Sequence, residues 1–244
     1  MTTQELIQAV SPKIANLGGA FYFTPETLAR GKELGIDGFR FYILGRGGVL
    51  GDVEPRVVSS AFGYFNPPVI ERLWNSGRTT IAPRDAGREY LECCRELGRR
   101  RLAGVEGLAE FCAAAEAVNA AADPAGLALY AGISAEPLAS DLPGRAQQLI
   151  TVLREHRGSV HLLAVVANGL APMMAHLLRR PNDMATFGYD VEHLPVATDD
   201  DRAKHRAAEE MTDRLLEPAY SVLDPAASRA MVEGLDRIEA ALVG

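Results

Sequence analysis

Apolar residues along this chain recur mostly at intervals of three and four, the spacing that gathers them on one face of an α-helix, and alternating strand-like runs are nearly absent. Thr2 with Glu5 reads as a capping box, opening a helix through about residue 17 that Gly18 and Gly19 close. Thr24-Pro25 puts an N-cap before a proline at the first helical position, and Gly35 ends that helix. Asp37 caps an aromatic-rich helix over 38–44, after which Gly45, Gly47, Gly48 and Gly51 predict a flexible loop around Arg46. A short helix opening at Asp52 or Glu54 runs to about Phe65. Asn66 then caps another, through Trp74, with Pro67 and Pro68 in its first turn. That is a helix, a tight turn and a helix.

The second part of the pattern is also helical. Helices are expected over 83–101 and 105–121, with a short one after Asp123-Pro124. Residues 137–143 read as an interior loop and a subdomain boundary, dividing the chain into halves at 1–136 and 144–244. A helix from Gly144 to Arg157 breaks at Gly158 and resumes to Asn168, and a further one spans 172–180. Residues 181–198 are irregular, with room for one small β-hairpin around 191–196. Thr198 caps a helix through about Leu216. The last helix follows Asp224-Pro225, with Met231, Leu235, Ile238 and Leu242 on one face. The fold class is therefore all-α.

Composition excludes some functions. Apolar residues make up 48% and charged residues 23%, a balance that supports a core rather than disorder. The longest apolar stretches are far shorter than a bilayer span, and residues 1–9 lack the basic and apolar regions of a signal peptide. No membrane association is expected, and the location reads as cytoplasmic. Cys93, Cys94 and Cys112 read as reduced, buried thiols. The net charge of −7 argues against nucleic acid as a partner, since neutralising phosphates supplies much of that affinity.

Three stretches carry a resemblance. They are Phe21-Tyr22-Phe23-Thr24-Pro25-Glu26 with Gly38-Phe39, Tyr42 and Gly45-Arg46; Val57-Val58 through Phe62, Tyr64, Phe65 and Pro67 to Trp74; and Leu153-Arg154-Glu155-His156-Arg157-Gly158 with His161 and Leu162. Together they resemble a largely actinobacterial family labelled helix-turn-helix, whose halves are similar to degenerate winged-helix domains of the multiple-antibiotic-resistance-regulator type. The closing segment from Thr198 through Leu235 resembles the wing and final helix of such domains. The resemblance implies two degenerate helix-turn-helix halves packed as one unit. The sequence departs from it where a second recognition helix and basic wing belong, offering instead residues 183–189 and then Asp199-Asp200-Asp201. Those carboxylates would repel a phosphate backbone.

Four groups of residues invite chemistry. Tyr22, Glu26, Tyr42 and Arg46 form the first, read either as a Glu26–Arg46 pair joining two helices or as a pocket floor on which Arg46 grips an anion. The second is Glu155, His156, Arg157 and His161. Here His156 is a candidate general acid–base, or else a residue at a helix C-terminus facing exposed carbonyls. His156 and His161 point about 140° apart on an unbroken helix, so without the break at Gly158 they would not share a metal. They are weak as metal ligands, and no metal or other cofactor is expected. His176, His193 and His205 read as structural or exposed. The third group is Arg84, Arg88, Arg95 and Arg99, which with nearby glutamates read as a solvated, ion-paired helix face. The fourth is a concentration of aromatics in the first third that, with Tyr64 and Asn66, serves as core or lines an apolar pocket.

The reading that follows is a small-molecule binding protein, or a cofactor-free acid–base enzyme of elimination or cyclisation type in specialised metabolism. Glu26 and His156 are its candidate catalytic residues. Tyr22, Tyr42, Arg46, Tyr64, Asn66, Arg157 and His161 are its candidate ligand contacts. The alternative is a ligand-responsive DNA-binding regulator using residues 67–78 as recognition helix. The partner is a small, anionic or polar molecule, and a homo-oligomer is compatible with either.

Overall fold

A computed structural model describes residues 1–243. Twelve α-helices make up its framework, and among the described residues there is no strand. The helices are α1 (Thr3–Leu17), α2 (Pro25–Glu33), α3 (Gly38–Gly47), α4 (Pro55–Phe62), α5 (Pro67–Arg78), α6 (Pro83–Leu102), α7 (Leu108–Ala121), α8 (Ala128–Ser134), α9 (Leu142–Ala167), α10 (Pro172–Arg179), α11 (Asp199–Tyr220) and α12 (Pro225–Val243). The capping box at Thr2 is present, with the Glu5 amide and carboxylate bonded back as the sequence predicts. A second capping box opens α11, where Asp201 answers Thr198. The carboxylates of 199–201 thus have a local cause: they sit at a helix N-terminus, where negative charge is favourable.

The core is continuous across the chain. Helix α9 lies at its centre, packed against α1, α6, α7, α8 and α11, while α1 also contacts α11 and α12. One cluster of buried side chains runs from Leu6 to Ile238, so the chain folds around one principal core. A smaller cluster, including Val165, Leu170, Met174 and Ala208, fills the space between the end of α9, α10 and α11. Helices α3, α4 and α5 form a helix-turn-helix arrangement, closed by Trp74, which is fully buried and donates from its indole nitrogen to the Val53 carbonyl. Gly63, at φ 68°, ends α4 in a conformation that favours glycine.

Three local expectations are corrected. The glycines around Arg46 do not make a loop, because α3 continues to Gly47 and a 3-10 turn follows over Gly48–Leu50. They serve close helix packing instead: a Cβ on Gly45 would stand 2.5 Å from Tyr90 Cβ, so only glycine lets α3 approach α6 this closely. The break at Gly158 is also absent, and α9 runs unbroken through it. A Cβ there would meet nothing within 4 Å, and its contribution is open space beside the helix. Finally, no hairpin forms at 191–196. Val191–His193 is a 3-10 turn capped by Asp190, and Val191 and Val196 are exposed, so no buried face exists to fix a strand register.

Candidate functional site

Helix α3 carries Tyr42 and Arg46 one turn apart, and α9 carries Arg154 and Glu155 opposite them. Glu155 is 2% exposed and both its oxygens are taken. Arg46 grips it bidentately, Nε to Oε1 at 2.9 Å and Nη2 to Oε2 at 2.8 Å. Arg154 Nη1 donates to Oε1 at 2.8 Å, and the Tyr22 hydroxyl donates to Oε1 at 3.1 Å. Arg46 also reaches the Tyr42 hydroxyl at 3.2 Å and lies over the Phe62 ring at 4.4 Å. Burial alone would raise the Glu155 pKa, but Arg46 and then Arg154 outweigh it and hold the carboxyl at about 2. This carboxylate is therefore committed. It cannot act as a base, and its charge neutralises only one of the two arginines.

Beside this cluster opens a cavity of about 150 Å³. Its apolar wall comprises Phe62, Phe65, Leu129, Leu162 and Phe187, and Gly158 of α9 supplies room on the helix side. The polar wall comprises Tyr42, Tyr64, His161, His176 and five arginines, Arg46, Arg154, Arg157, Arg179 and Arg180. Phe187 stacks between Phe65 and His176, with ring centroids at 3.9 and 3.8 Å. Asn66 does not cap α5 with its side chain. It donates to the Gly188 carbonyl at 2.8 Å, fastening the loop that carries Phe187.

The outer arginines are less satisfied than the inner pair. Arg157 donates one bond, Nη2 to Glu209 Oε2 at 2.9 Å, while its buried Nε has no partner. The buried Tyr64 hydroxyl and His176 Nε2 also lack partners. Arg179, exposed at the edge of the cavity, has no ion pair or side-chain hydrogen bond among the described residues, and partial desolvation followed by the nearby Arg157 lowers its pKa. Burial holds the His176 imidazole at about 4, so it is neutral at pH 7. His161 is likewise pushed down to about 4, burial outweighing the nearby Glu209.

The candidate residues separate into two sets. Tyr42, Arg46, Tyr64, Arg157 and His161 converge on the cavity, and Tyr22 stands behind it, bound to Glu155 and Arg154. Glu26 and His156 do not join them. Glu26 is exposed at the start of α2 and pairs with Arg100 at 2.5 Å, so its expected pairing with Arg46 does not form. His156 is buried in mid-helix rather than at a helix end, packed on Tyr130 at 4.6 Å and held at about 4 by burial. Arg154, Arg179 and Glu209 carry no sequence signal for the cavity, because α9, α10 and α11 meet only in the folded chain.

The arginine stripe on α6 is ion-paired as expected, Arg99 with Glu92, Glu96 and Asp141, and Arg95 with Glu92. The exposed residues of α5 include Glu71, Arg72 and Ser76, a face with no positive excess, and Arg78 is tied to Asp52. Among the described residues no single helix is long and apolar enough to cross a membrane. A family model described as a helix-turn-helix family matches residues 7–192. Neither the curated proteins nor the solved structures gave a significant match.

Proposed function

The chain belongs to this helix-turn-helix family, and the all-α, helix-turn-helix architecture follows from the membership and the fold together. Within that frame we propose that the protein binds a small organic anion in the cavity between α3, α9 and α10. The observation that carries the reading is the set of buried polar atoms without partners on the cavity wall: Arg157 Nε, Tyr64 Oη and His176 Nε2, beside the unpaired Arg179. A buried polar group left unbonded costs about 1–3 kcal/mol, so such atoms concentrated around one space favour a ligand that bonds them. A carboxylate offers acceptor oxygens to Arg157, Tyr64 and Arg179, and to His176 Nε2 in the tautomer that carries its proton there, and guanidinium groups take it bidentately. The apolar wall suits a ring, since a cavity of about 150 Å³ accommodates a molecule the size of benzene. A small aryl carboxylate is the class that fits both walls.

Binding fits this geometry better than acid–base catalysis. Glu155 is locked between arginines, and Glu26 and His156 lie outside the cavity. The second reading, a ligand-responsive DNA-binding regulator, is favoured by the family description. The neutral outer face of α5 and the paired stripe on α6 weigh against it.

A panel of aryl carboxylates beginning with benzoate and its hydroxylated forms, read by thermal shift and calorimetry at pH 7, tests the proposal. A saturable shift in the wild type that weakens in Arg179→Ala and in the cavity-filling Gly158→Leu supports it. An unchanged melting temperature throughout, with sequence-selective DNA binding at low salt, would overturn it in favour of the regulator.

A further inference from the structure

Behind the cavity wall that His161 helps to form, α9 and α11 bring His161, His205 and Glu209 together. His205 and Glu209 lie one turn apart on α11, on the same face, and His161 meets them from α9. His161 Nε2 stands 3.6 Å from Glu209 Oε1, and His205 Nε2 stands 4.0 Å from the same oxygen. One ligand atom from each residue lies within 4.8 Å of the other two.

Hydrogen bonding fixes which atoms of this group carry lone pairs. The Thr212 hydroxyl donates to the Ala208 carbonyl at 2.7 Å, so its oxygen accepts from the His161 Nδ1–H at 2.9 Å. His161 is therefore the tautomer whose Nε2 bears a lone pair, and that lone pair faces a carboxylate oxygen. His205 Nε2 is buried and has no hydrogen-bond partner of its own. Glu209 Oε2 is held by Arg157, which leaves Oε1 turned toward the two imidazoles. Two electron-rich atoms, His161 Nε2 and Glu209 Oε1, face each other with the unpartnered His205 Nε2 beside them, all at separations too long for hydrogen bonds. A shared cation, with His205 protonated at Nδ1, resolves that arrangement.

We propose that His161, His205 and Glu209 bind a divalent first-row transition-metal ion. Two imidazoles and one carboxylate suit Zn²⁺ and Fe²⁺, and such three-ligand sites leave positions open for water or a ligand. Tetrahedral metal–ligand bonds near 2.0–2.2 Å put ligand atoms about 3.4 Å apart, so the three atoms must close by a few tenths of an ångström to at most about 1.4 Å. The Thr212–His161 and Arg157–Glu209 hydrogen bonds are the outer contacts that hold such ligands in orientation. The inference stands on this cluster and needs no anion, although His161 and the Arg157–Glu209 pair also border the cavity.

The full chain, freed of any affinity tag and treated with chelator, is titrated with Co²⁺ and Zn²⁺ by absorption and calorimetry. The expected result is one equivalent of Co²⁺ with visible d–d bands that Zn²⁺ displaces. Affinity should fall by about tenfold or more in His205→Ala and in Glu209→Gln, with no change in the surface variant His193→Ala. Absence of d–d bands in the wild type overturns the proposal, as does undiminished affinity in a folded His205→Ala. The wild-type spectrum decides the question even if a variant loses its helical circular dichroism. Anion binding measured with and without Zn²⁺ keeps a failure here distinct from a failure of the cavity reading.

Discussion

Two arginine clusters share one cavity and differ in how far they are satisfied. In the inner cluster, Arg46 and Arg154 converge on a buried Glu155, and Tyr22 and Tyr42 take up further donors and acceptors. In the outer cluster, Arg157 has one bond to Glu209 and an unbonded Nε, and Arg179 has no carboxylate. Arginines of equal formal charge thus do different work. A saturated cluster pins α3 to α9 and belongs to the fold, whereas an unsaturated one beside a cavity has capacity left for something else.

The largest effect expected is at the inner cluster. Glu155→Ala leaves two largely buried guanidinium groups without their carboxylate, and urea denaturation should show a loss of about 3–5 kcal/mol. If the loss proves as small as that of a surface pair, the two clusters are not different in kind.

Acid separates the clusters next. The outer His176 has its pKa lowered from 6.5 to about 4, so the unfolded chain takes up that proton first. The associated stability is complete above about pH 6.5 and is lost as pH falls toward 4, to the extent of roughly 2–3 kcal/mol. Glu155, lowered from 4.5 to about 2, acts in a lower window: its contribution is present above about pH 4.5 and is lost as pH falls toward 2. Stability measured from pH 7 to 2 should therefore decline in two stages, and His176→Phe should flatten part of the first.

Gly45→Ala tests the support behind Arg46. The added methyl meets Tyr90, and the expected loss is about 1–2 kcal/mol with weakened anion binding, since α3 must shift from α6. The smallest change in stability belongs to Arg179→Ala, within about 0.5 kcal/mol by chemical denaturation. The same variant should lose anion affinity by about tenfold or more, corresponding to one charge-assisted contact. That combination, stability kept and binding lost, is what the contrast between the clusters requires.

Much of the framework was legible from local chemistry. The capping box at Thr2, the cap at Thr198, the prolines opening α2, α5 and α6, and the periodic face of α12 act within a few residues of each other, and the folded chain repeats them. Of the candidate ligand residues, Tyr42, Arg46, Tyr64, Arg157 and His161 do meet at one cavity. Sequence could suggest them because arginines and tyrosines interleaved with an aromatic core are out of place in a plain helical bundle.

The amino-acid sequence by itself determined where most helices start, which faces are apolar, and that the chain is all-α, because caps and periodicity are properties of neighbouring residues. Helix α8 is an exception, beginning at Ala128 rather than at Asp123-Pro124. Only the tertiary structure decided that Gly45 and Gly158 lie inside helices: close packing on Tyr90 demands glycine at the first, and burial of the α9 residues on either side of the second outweighs the local preference of glycine for loops. It also decided the partners of the charges around the cavity. Glu155 lies 109 residues from Arg46, and Glu209 lies 52 residues from Arg157. No local rule connects positions so far apart; burial in a shared core does.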